Sequence, residues 1–332
     1  MIRWRLFSGY ALVILLRLSC PALAQTEEPM HYTVTVPTGV SLTLDGTLTL
    51  PANVKPSPAT RVPVVLLIAG SGPTDRDGNS AVGLKTDAFR MLADSLSRQG
   101  IAVARYDKRY AGTNRFVAAV TLPEERLRFD HYVSDAVGFI RQLQADKRFG
   151  KIIVAGHSEG SLVGMLAARQ TGAAGFISLA GAGQNIADVL KEQGRLVNPP
   201  ALQAEVDRLL DSLRNGQSVR PALPVLKAQF KPSIQAYLIS WMRLDPAAEL
   251  RQFTGPVLII NGKRDFQIAV SEAERLKAAR PDARLLLFDA MTHVLKDAVS
   301  DSLADKARTY NDPTLPLTPG LSTAIAQFVK SL

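Results

Sequence analysis

The chain has 332 residues, of which 46% are hydrophobic, 21% charged and 6% aromatic, and its formal net charge is +9. This composition predicts a globular protein with a large core and excludes a disordered chain or a fibrous repeat. The single cysteine, Cys20, excludes a disulfide framework and a cysteine-based metal site.

Residues 1–24 have the pattern of a secretory signal peptide. Arg3 and Arg5 precede a short apolar run, and small residues before Gln25 fit a cleavage site. The run is too short to span a bilayer comfortably. We expect cleavage after residue 24 and a periplasmic or secreted mature chain without stable membrane insertion. An uncleaved anchor and lipidation at Cys20 are the alternatives.

The positive charge that remains after this cleavage is scattered. The mature chain would carry 36 Lys and Arg against 30 Asp and Glu, with no run of five basic residues. A nucleic-acid or membrane-surface protein usually concentrates its charge. We therefore expect neither partner, and the sequence does not indicate an oligomeric state.

The hydrophobic pattern predicts an α/β fold. Two alternating strands, His31–Val36 and Ser41–Leu50, come first, and a proline-rich loop follows. The later apolar runs are continuous, as expected for parallel strands that are covered on both faces. The predicted strands are Val62–Ala69, Ile101–Tyr106, Lys151–Ala155, Gly175–Ala180, Pro256–Ile260 and Arg284–Phe288. The predicted helices are Thr86–Gln99, Tyr132–Ala145, Ser161–Arg169, Val270–Ala279 and Ser322–Leu332. This alternation indicates a mostly parallel, twisted sheet with helices on both faces.

One interval interrupts this alternation. Residues 185–250 contain no strand-like run and are predicted to form a helical cap inserted into a core of residues 25–184 and 251–332. Such a cap would lie over the carboxyl edge of the sheet, where α/β proteins bind ligands. Trp241 and Met242 are assigned to its core, with an acyl-pocket wall as the alternative.

The strongest motif is Gly156-His157-Ser158-Glu159-Gly160. It directly follows a predicted strand and precedes a predicted helix, which is the context that a G-x-S-x-G nucleophile elbow requires. Ser158 is expected on a strained turn, and the two glycines are expected to allow close backbone approach. A chance match is the alternative.

A serine nucleophile needs a base, and the chain has four histidines to choose from. His293 follows the last predicted strand and would overhang the carboxyl edge, so we assign it as general base and acid. Asp265, after the preceding strand, is assigned to orient it, with Asp289 as the rival. The order Ser158, Asp265, His293 is that of the α/β-hydrolase fold.

The oxyanion hole would need two backbone N–H groups. We assign the N–H of Glu159 and that of Ser71, in the loop after the first parallel strand, with Gly72 as the alternative to Ser71. Gly70, Gly72 and His157 are assigned to the substrate-binding surface. The side chain of Glu159 could face the pocket or pair with a neighbour.

These segments resemble the α/β-hydrolase superfamily, in particular its bacterial serine-aminopeptidase-like and esterase members. The resemblance covers residues 31–182 and 245–332. It rests on the elbow, the Asp265 and His293 segments, the loop from Gly70 to Asn79, and Tyr106-Asp107-Lys108-Arg109. It implies hydrolysis of an ester, thioester or amide.

The chain departs from this family pattern at two places. Ala69 stands where many members have histidine before the oxyanion loop, and residues 108–112 replace a more usual Arg-Gly-x-Gly turn. The first departure bears on the geometry of the hole. In the same region, Asp75, Arg76 and Asp77 are expected to order their loop rather than to bind substrate.

The predicted function is that of a serine hydrolase acting on the carboxylic ester of a small molecule through an acyl-enzyme on Ser158. No cofactor or metal motif occurs, so none is expected. An acyltransferase, a thioesterase and a short-peptide aminopeptidase could use the same residues. A binding module on an inactive hydrolase scaffold is the alternative from another class.

Overall fold

The computed structural model describes residues 25–36 and 39–332. The predicted signal peptide, residues 1–24, lies outside this part of the chain, so its cleavage stays a prediction. Within the described ranges, no helix combines the length and the apolar character that crossing a membrane requires.

Eight strands form one sheet in the order β1-β2-β4-β3-β5-β6-β7-β8. β1 and β2 pair antiparallel and β2 pairs antiparallel with β4, whereas every later pairing is parallel. The strands are β1 Glu27–Thr35, β2 Ser41–Thr49, β3 Val62–Ile68, β4 Ala102–Tyr106, β5 Phe149–His157, β6 Gly175–Leu179, β7 Val257–Gly262 and β8 Arg284–Phe288. This mostly parallel sheet confirms the predicted fold class.

Helices cover both faces of the sheet and form a separate group above it. They are α1 Ala88–Ser97, α2 Arg115–Thr121, α3 Phe129–Ala145, α4 Glu159–Thr171, α5 Ile186–Arg195, α6 Pro200–Arg214, α7 Pro224–Lys227, α8 Pro232–Met242, α9 Pro246–Arg251, α10 Val270–Ala279, α11 Leu303–Asn311 and α12 Leu321–Ser331. Short 3₁₀ turns span Gly112–Asn114 and Glu124–Arg126.

The continuous apolar strands serve two cores because successive side chains point to opposite faces. On β3, Val64 and Leu66 pack with α3, α4 and α10, while Val65 and Leu67 pack with α1 and α12. Burial on both faces explains why these strands do not alternate in hydrophobicity.

Within the region of the predicted cap, helices α5 to α8 share a small core of their own. Val206, Leu209, Leu213 and Phe230 are fully buried there. Helix α9, the last element of this interval, packs against α4 and α10 of the sheet layer instead. The cap helices thus share one hydrophobic cluster, and α8 packs against α3 and the Glu124–Arg126 turn.

Two helices were not predicted, and each shows little apolar periodicity. In α11 only Thr309 is buried, and in α2 only Ala118 is buried. Helix α11 begins with a capping bond, in which Asp305 N–H donates to Ser302 Oγ over 3.1 Å. A pattern method that depends on an apolar stripe does not detect such helices.

Candidate active site

The predicted site residues all follow the carboxyl ends of parallel strands. Ser71 comes after β3, Ser158 directly after β5, Asp265 after β7 and His293 after β8. Because parallel strands end at one edge of a sheet, residues far apart in sequence are brought together there.

Ser158 occupies a strained turn between β5 and α4. Its φ is 55° and its ψ is −122°, a conformation rarely adopted by a residue with a side chain. A Cβ on Gly156 would lie 2.0 Å from Gly160 O, and one on Gly160 would lie 2.4 Å from Ile68 O. The two glycines are therefore required by close backbone approach, as the sequence predicts.

Asp265 and His293 form a buried hydrogen-bonded pair. Nδ1 of His293 lies 2.8 Å from Oδ2 of Asp265, with side-chain exposures of 6% and 0%. Since a carboxylate only accepts, the ring donates from Nδ1. The backbone N–H groups of Gln267 and Ile268 donate to the other oxygen, Oδ1. These three donors fix the carboxyl group, which in turn fixes the orientation of the ring.

Ser158 and His293 face the same cavity. Among the hydrogen bonds of the described residues, none joins the Ser158 hydroxyl to the His293 ring. Such contacts are often long in structures without substrate and become shorter when it binds. The structure therefore brings the two groups to one cavity without forming the bond for proton transfer.

His157 holds the loop that carries His293. Its Nε2 lies 2.7 Å from the backbone oxygen of His293, and the two rings are 4.7 Å apart. Because a carbonyl only accepts, Nε2 must carry the proton. Burial, together with the neighbouring His293, lowers the pKa of His157 to about 3. The ring of His157 thus stays neutral near pH 7 and positions His293.

The two proposed oxyanion donors flank Ser158. Ser71 lies in the loop after β3 and Glu159 is the first residue of α4. No hydrogen bond of the described residues uses either backbone N–H as its donor, so both are free to bind an anion. The positive end of the helix dipole of α4 favours negative charge at the same place.

The other candidate groups lie elsewhere. Asp289 forms an exposed ion pair with Lys263. His31 pairs with Asp45 in the β1–β2 hairpin, and Nδ1 of His131 accepts from the Arg128 N–H at the start of α3. These contacts favour the Asp265–His293 pair over the rival residues.

The loop residues Asp75, Arg76 and Asp77 order the chain after the oxyanion loop. Arg76 pairs with Asp107 over 2.7 Å, and Asp77 pairs with Arg105. Asp75 accepts hydrogen bonds from two nearby backbone N–H groups. This is the structural role that we expect from their sequence.

Two cavities meet at Ser158. The first, of about 250 Å³, is lined by His293 and by Leu84, Phe89, Val294 and Tyr310, and we call it the His293 cavity. The second, of about 270 Å³, is lined by Leu162, Ile186, Val189, Leu190, Trp241 and Ile268, and we call it the cap cavity. Trp241 therefore forms a cavity wall, the alternative weighed above, whereas Met242 is buried in the cap core.

Charged side chains are nearly absent from these cavities. Among the described residues that line them, Glu159 is the only carboxylic acid, and no Lys or Arg is present. The carboxyl group of Glu159 is already bound by Lys108 and by Tyr237. The cavities are thus suited to uncharged groups.

Sequence reasoning assigned no role to Lys108, Tyr237, Gln267 or Tyr310, although all four lie at the site. Gln267 lines both cavities, and its Nε2 donates to Tyr310 Oη over 2.8 Å. Tyr310 lies on α11, one of the helices that the pattern did not predict. For Lys108, the departure from the family turn at residues 108–112 was the available signal. Within the described residues, no group of three His, Cys, Asp or Glu could hold a metal ion.

Comparison with known proteins identifies related chains. A family model described as serine aminopeptidase, S33, matches residues 83–297, which include Ser158, Asp265 and His293. Esterase EstD from Thermotoga maritima is 28% identical over 257 residues, which cover 76% of this chain. The match spans 58% of the length of that curated relative.

Solved structures show the same fold at low sequence identity. Est1E from Butyrivibrio proteoclasticus, determined with ferulic acid bound, is 16% identical, with coverages of 91% and 96% and a TM-score of 0.57. An acylaminoacyl peptidase from Pyrococcus horikoshii is 14% identical, with coverages of 92% of this chain and 42% of the peptidase and a TM-score of 0.53. Both likenesses support the α/β-hydrolase fold.

Proposed function

The chain belongs to the α/β-hydrolase family described as serine aminopeptidase, S33, and from this membership and the geometry of its site we propose that it hydrolyses small, uncharged carboxylic esters. The carrying observation is the buried Asp265–His293 pair, which opens on the same uncharged cavity as the strained Ser158. The relative named esterase EstD is consistent with this activity.

In the proposed mechanism, Ser158 Oγ attacks the acyl carbonyl while His293 Nε2 takes its proton. The resulting oxyanion is stabilised by the N–H groups of Ser71 and Glu159. As the ester C–O bond breaks, His293 gives its proton to the leaving alkoxide. Water then attacks the acyl-enzyme while His293 takes a proton from it. As the bond between the acyl carbon and Ser158 Oγ breaks, His293 returns that proton to Oγ, and the carboxylic acid leaves.

The two cavities suggest how the ester is oriented. The leaving oxygen must receive a proton from His293, and only the His293 cavity is lined by that residue. We therefore place the alcohol group in the His293 cavity and the acyl group in the cap cavity. Since each cavity is near 250 Å³ in volume, both groups should be small.

An aminopeptidase activity fits the cavities less well. Binding a peptide N-terminus requires an unpaired carboxylate for the ammonium group, because a buried charge must be compensated. The one acidic side chain lining the described cavities, Glu159, already has two partners. This arrangement favours a neutral ester over a peptide with a free amino end.

The test compares wild type with Ser158→Ala on p-nitrophenyl esters of graded acyl length and on aminoacyl p-nitroanilides. We expect wild type to hydrolyse short esters preferentially, and Ser158→Ala to lose roughly 10⁴-fold or more in kcat. A fluorophosphonate should label wild type and leave Ser158→Ala unlabelled. Retained activity in the variant, or no ester hydrolysis and no labelling of wild type, would overturn the proposal.

A further inference from the structure

Lys108 is a buried cation that touches both sides of the proposed oxyanion hole. It follows β4, and its side chain is 2% exposed. Its Nζ donates to the backbone oxygen of Gly70 and to Oε1 of Glu159, the latter over 3.1 Å. It also lies 4.8 Å from the ring centre of Tyr132. The three N–H bonds of the ammonium group thus match three partners.

The bond to Gly70 acts on the same peptide group as the proposed donor. A peptide unit is planar and trans, so the oxygen of Gly70 and the N–H of Ser71 point in opposite directions. When Lys108 holds the oxygen on one side, the N–H must face the other side. The positive charge also draws electrons toward that oxygen, which makes the N–H a stronger donor.

Two glycines, Gly70 and Gly72, adjoin this peptide, and glycine allows more backbone conformations than other residues. Gly70 has no side chain, and Gly72 has φ +75°. A Cβ on Gly70 would lie 3.1 Å from both His157 Nδ1 and Ser158 Cβ, so this face of the loop leaves little room for a larger side chain. Thr74 Oγ1 donates to the next carbonyl oxygen, that of Ser71, over 3.2 Å, and Lys108 donates to the oxygen of Gly70.

We propose that Lys108 is a positioning residue that orients the oxyanion hole, by fixing the Gly70–Ser71 peptide and by pairing with the Glu159 side chain. This inference rests on the proposed function. It assigns to Lys108 a role in the transition state, beyond that of a stabilising buried ion pair. Substrate binding in the ground state does not require it.

The primary variant is Lys108→Met, which keeps the length of the side chain and removes the ammonium group. We expect kcat on the best ester to fall by about 10²-fold, the usual effect of one oxyanion donor, with little change in KM. The rate constant for phosphonylation of Ser158 should fall in the same proportion, because the phosphonyl oxygen occupies the same hole.

A buried carboxyl group without its partner can unfold a protein, so a second variant is needed. In Lys108→Met/Glu159→Gln no buried charge remains unpaired, and the thermal midpoint should recover while kcat stays low. Arg109→Met is the matched control. It removes the adjacent buried cation, which pairs with Asp135 over 2.7 Å and does not contact the oxyanion loop. The kcat of Arg109→Met, calculated per folded molecule, should equal that of wild type.

Crystal structures of wild type and of Lys108→Met provide a readout that does not depend on activity. We expect the Gly70–Ser71 peptide to rotate or to adopt several orientations in the variant. If wild type hydrolyses no ester, the proposed function fails. The orientation of the Gly70–Ser71 peptide in the two structures still tests whether Lys108 positions it. An unchanged peptide in the variant, or a kcat that recovers with stability in the double variant, would overturn the inference.

Discussion

His157 Nε2 donates a hydrogen bond to the backbone oxygen of His293, over 2.7 Å. The residue just before the elbow serine therefore holds the loop that presents the proposed base. This bond links the end of β5 to the segment after β8, and it therefore relates the position of Ser158 to that of His293. The bond requires that Nε2 carries a proton, and the low pKa of the buried ring keeps His157 neutral near pH 7.

This neutrality predicts an acid sensitivity of the fold. The pKa of His157 is about 3 in the folded protein, through burial and the nearby His293, against an ordinary 6.5. The unfolded chain binds more protons between these values, so the contribution of His157 to the unfolding free energy is full above pH 6.5 and is lost as the pH decreases toward 3. The binding of one additional proton by the unfolded chain changes the unfolding free energy by up to about 1.4 kcal/mol per pH unit.

The measurement is urea unfolding of wild type and His157→Gln from pH 4 to pH 8. Glutamine can still donate to the His293 oxygen but does not titrate, so the variant should show a smaller loss of unfolding free energy below pH 6.5. Parallel pH dependences of the two proteins would contradict the assignment of a buried neutral ring.

Asp265→Asn should disable the base while leaving the fold intact. An asparagine amide can favour the wrong tautomer of His293, and the comparable change in a serine protease lowers kcat about 10⁴-fold. We expect a loss of that order on the best ester. Asp289→Asn is the control because Asp289 lies in an exposed ion pair. Equal losses in the two variants would refute the assignment of Asp265.

The orientation of the ester can be tested with a pair of matched substitutions. Leu190 lines the cap cavity and Leu84 lines the His293 cavity, and both are half-buried. Leu190→Trp should lower kcat/KM for esters with longer acyl chains and spare those with longer alcohols. Leu84→Trp should do the opposite, since each indole fills one cavity.

The assay uses a grid of esters in which acyl and alcohol lengths vary separately. Wild type measured on the same grid is the reference for each variant. If each substitution instead affected the other part of the ester, the acyl group would occupy the His293 cavity and the alcohol group the cap cavity. If both substitutions had the same effect on every ester, neither assignment would hold.

Gly160→Ala should strongly destabilise the elbow. The new Cβ would lie 2.4 Å from Ile68 O and 2.6 Å from Ala69 O, and backbone atoms cannot move aside easily. Overpacking of this kind usually costs about 1–3 kcal/mol or more. Gly150→Ala is the control, because its Cβ would meet Arg61 Cβ at an ordinary 3.6 Å.

Thermal unfolding of the two glycine variants gives the comparison. We expect a lower midpoint for Gly160→Ala and a value close to wild type for Gly150→Ala. A wild-type midpoint in Gly160→Ala would mean that the close approach of β3 to α4 does not restrict this position.

The fold class and the residues that could meet at the site were predictable from the amino-acid sequence. The continuous apolar runs indicated strands that are buried on both faces of the sheet. The two glycines around Ser158 indicated a strained turn. Asp265 and His293 were identifiable because each follows a strand, and parallel strands end at one edge. These signals are local, so no tertiary information was needed to read them.

The contacts of Lys108 and the arrangement of two cavities around Ser158 became evident from the three-dimensional structure alone. The Lys108–Gly70 contact joins the segments after β4 and β3, and the cap wall is built from side chains of α5 and α8. Helix α11, which places Tyr310 on the His293 cavity, has too few buried residues to leave a pattern. Such contacts depend on distances between separate elements, and hydrophobic periodicity describes only one element at a time.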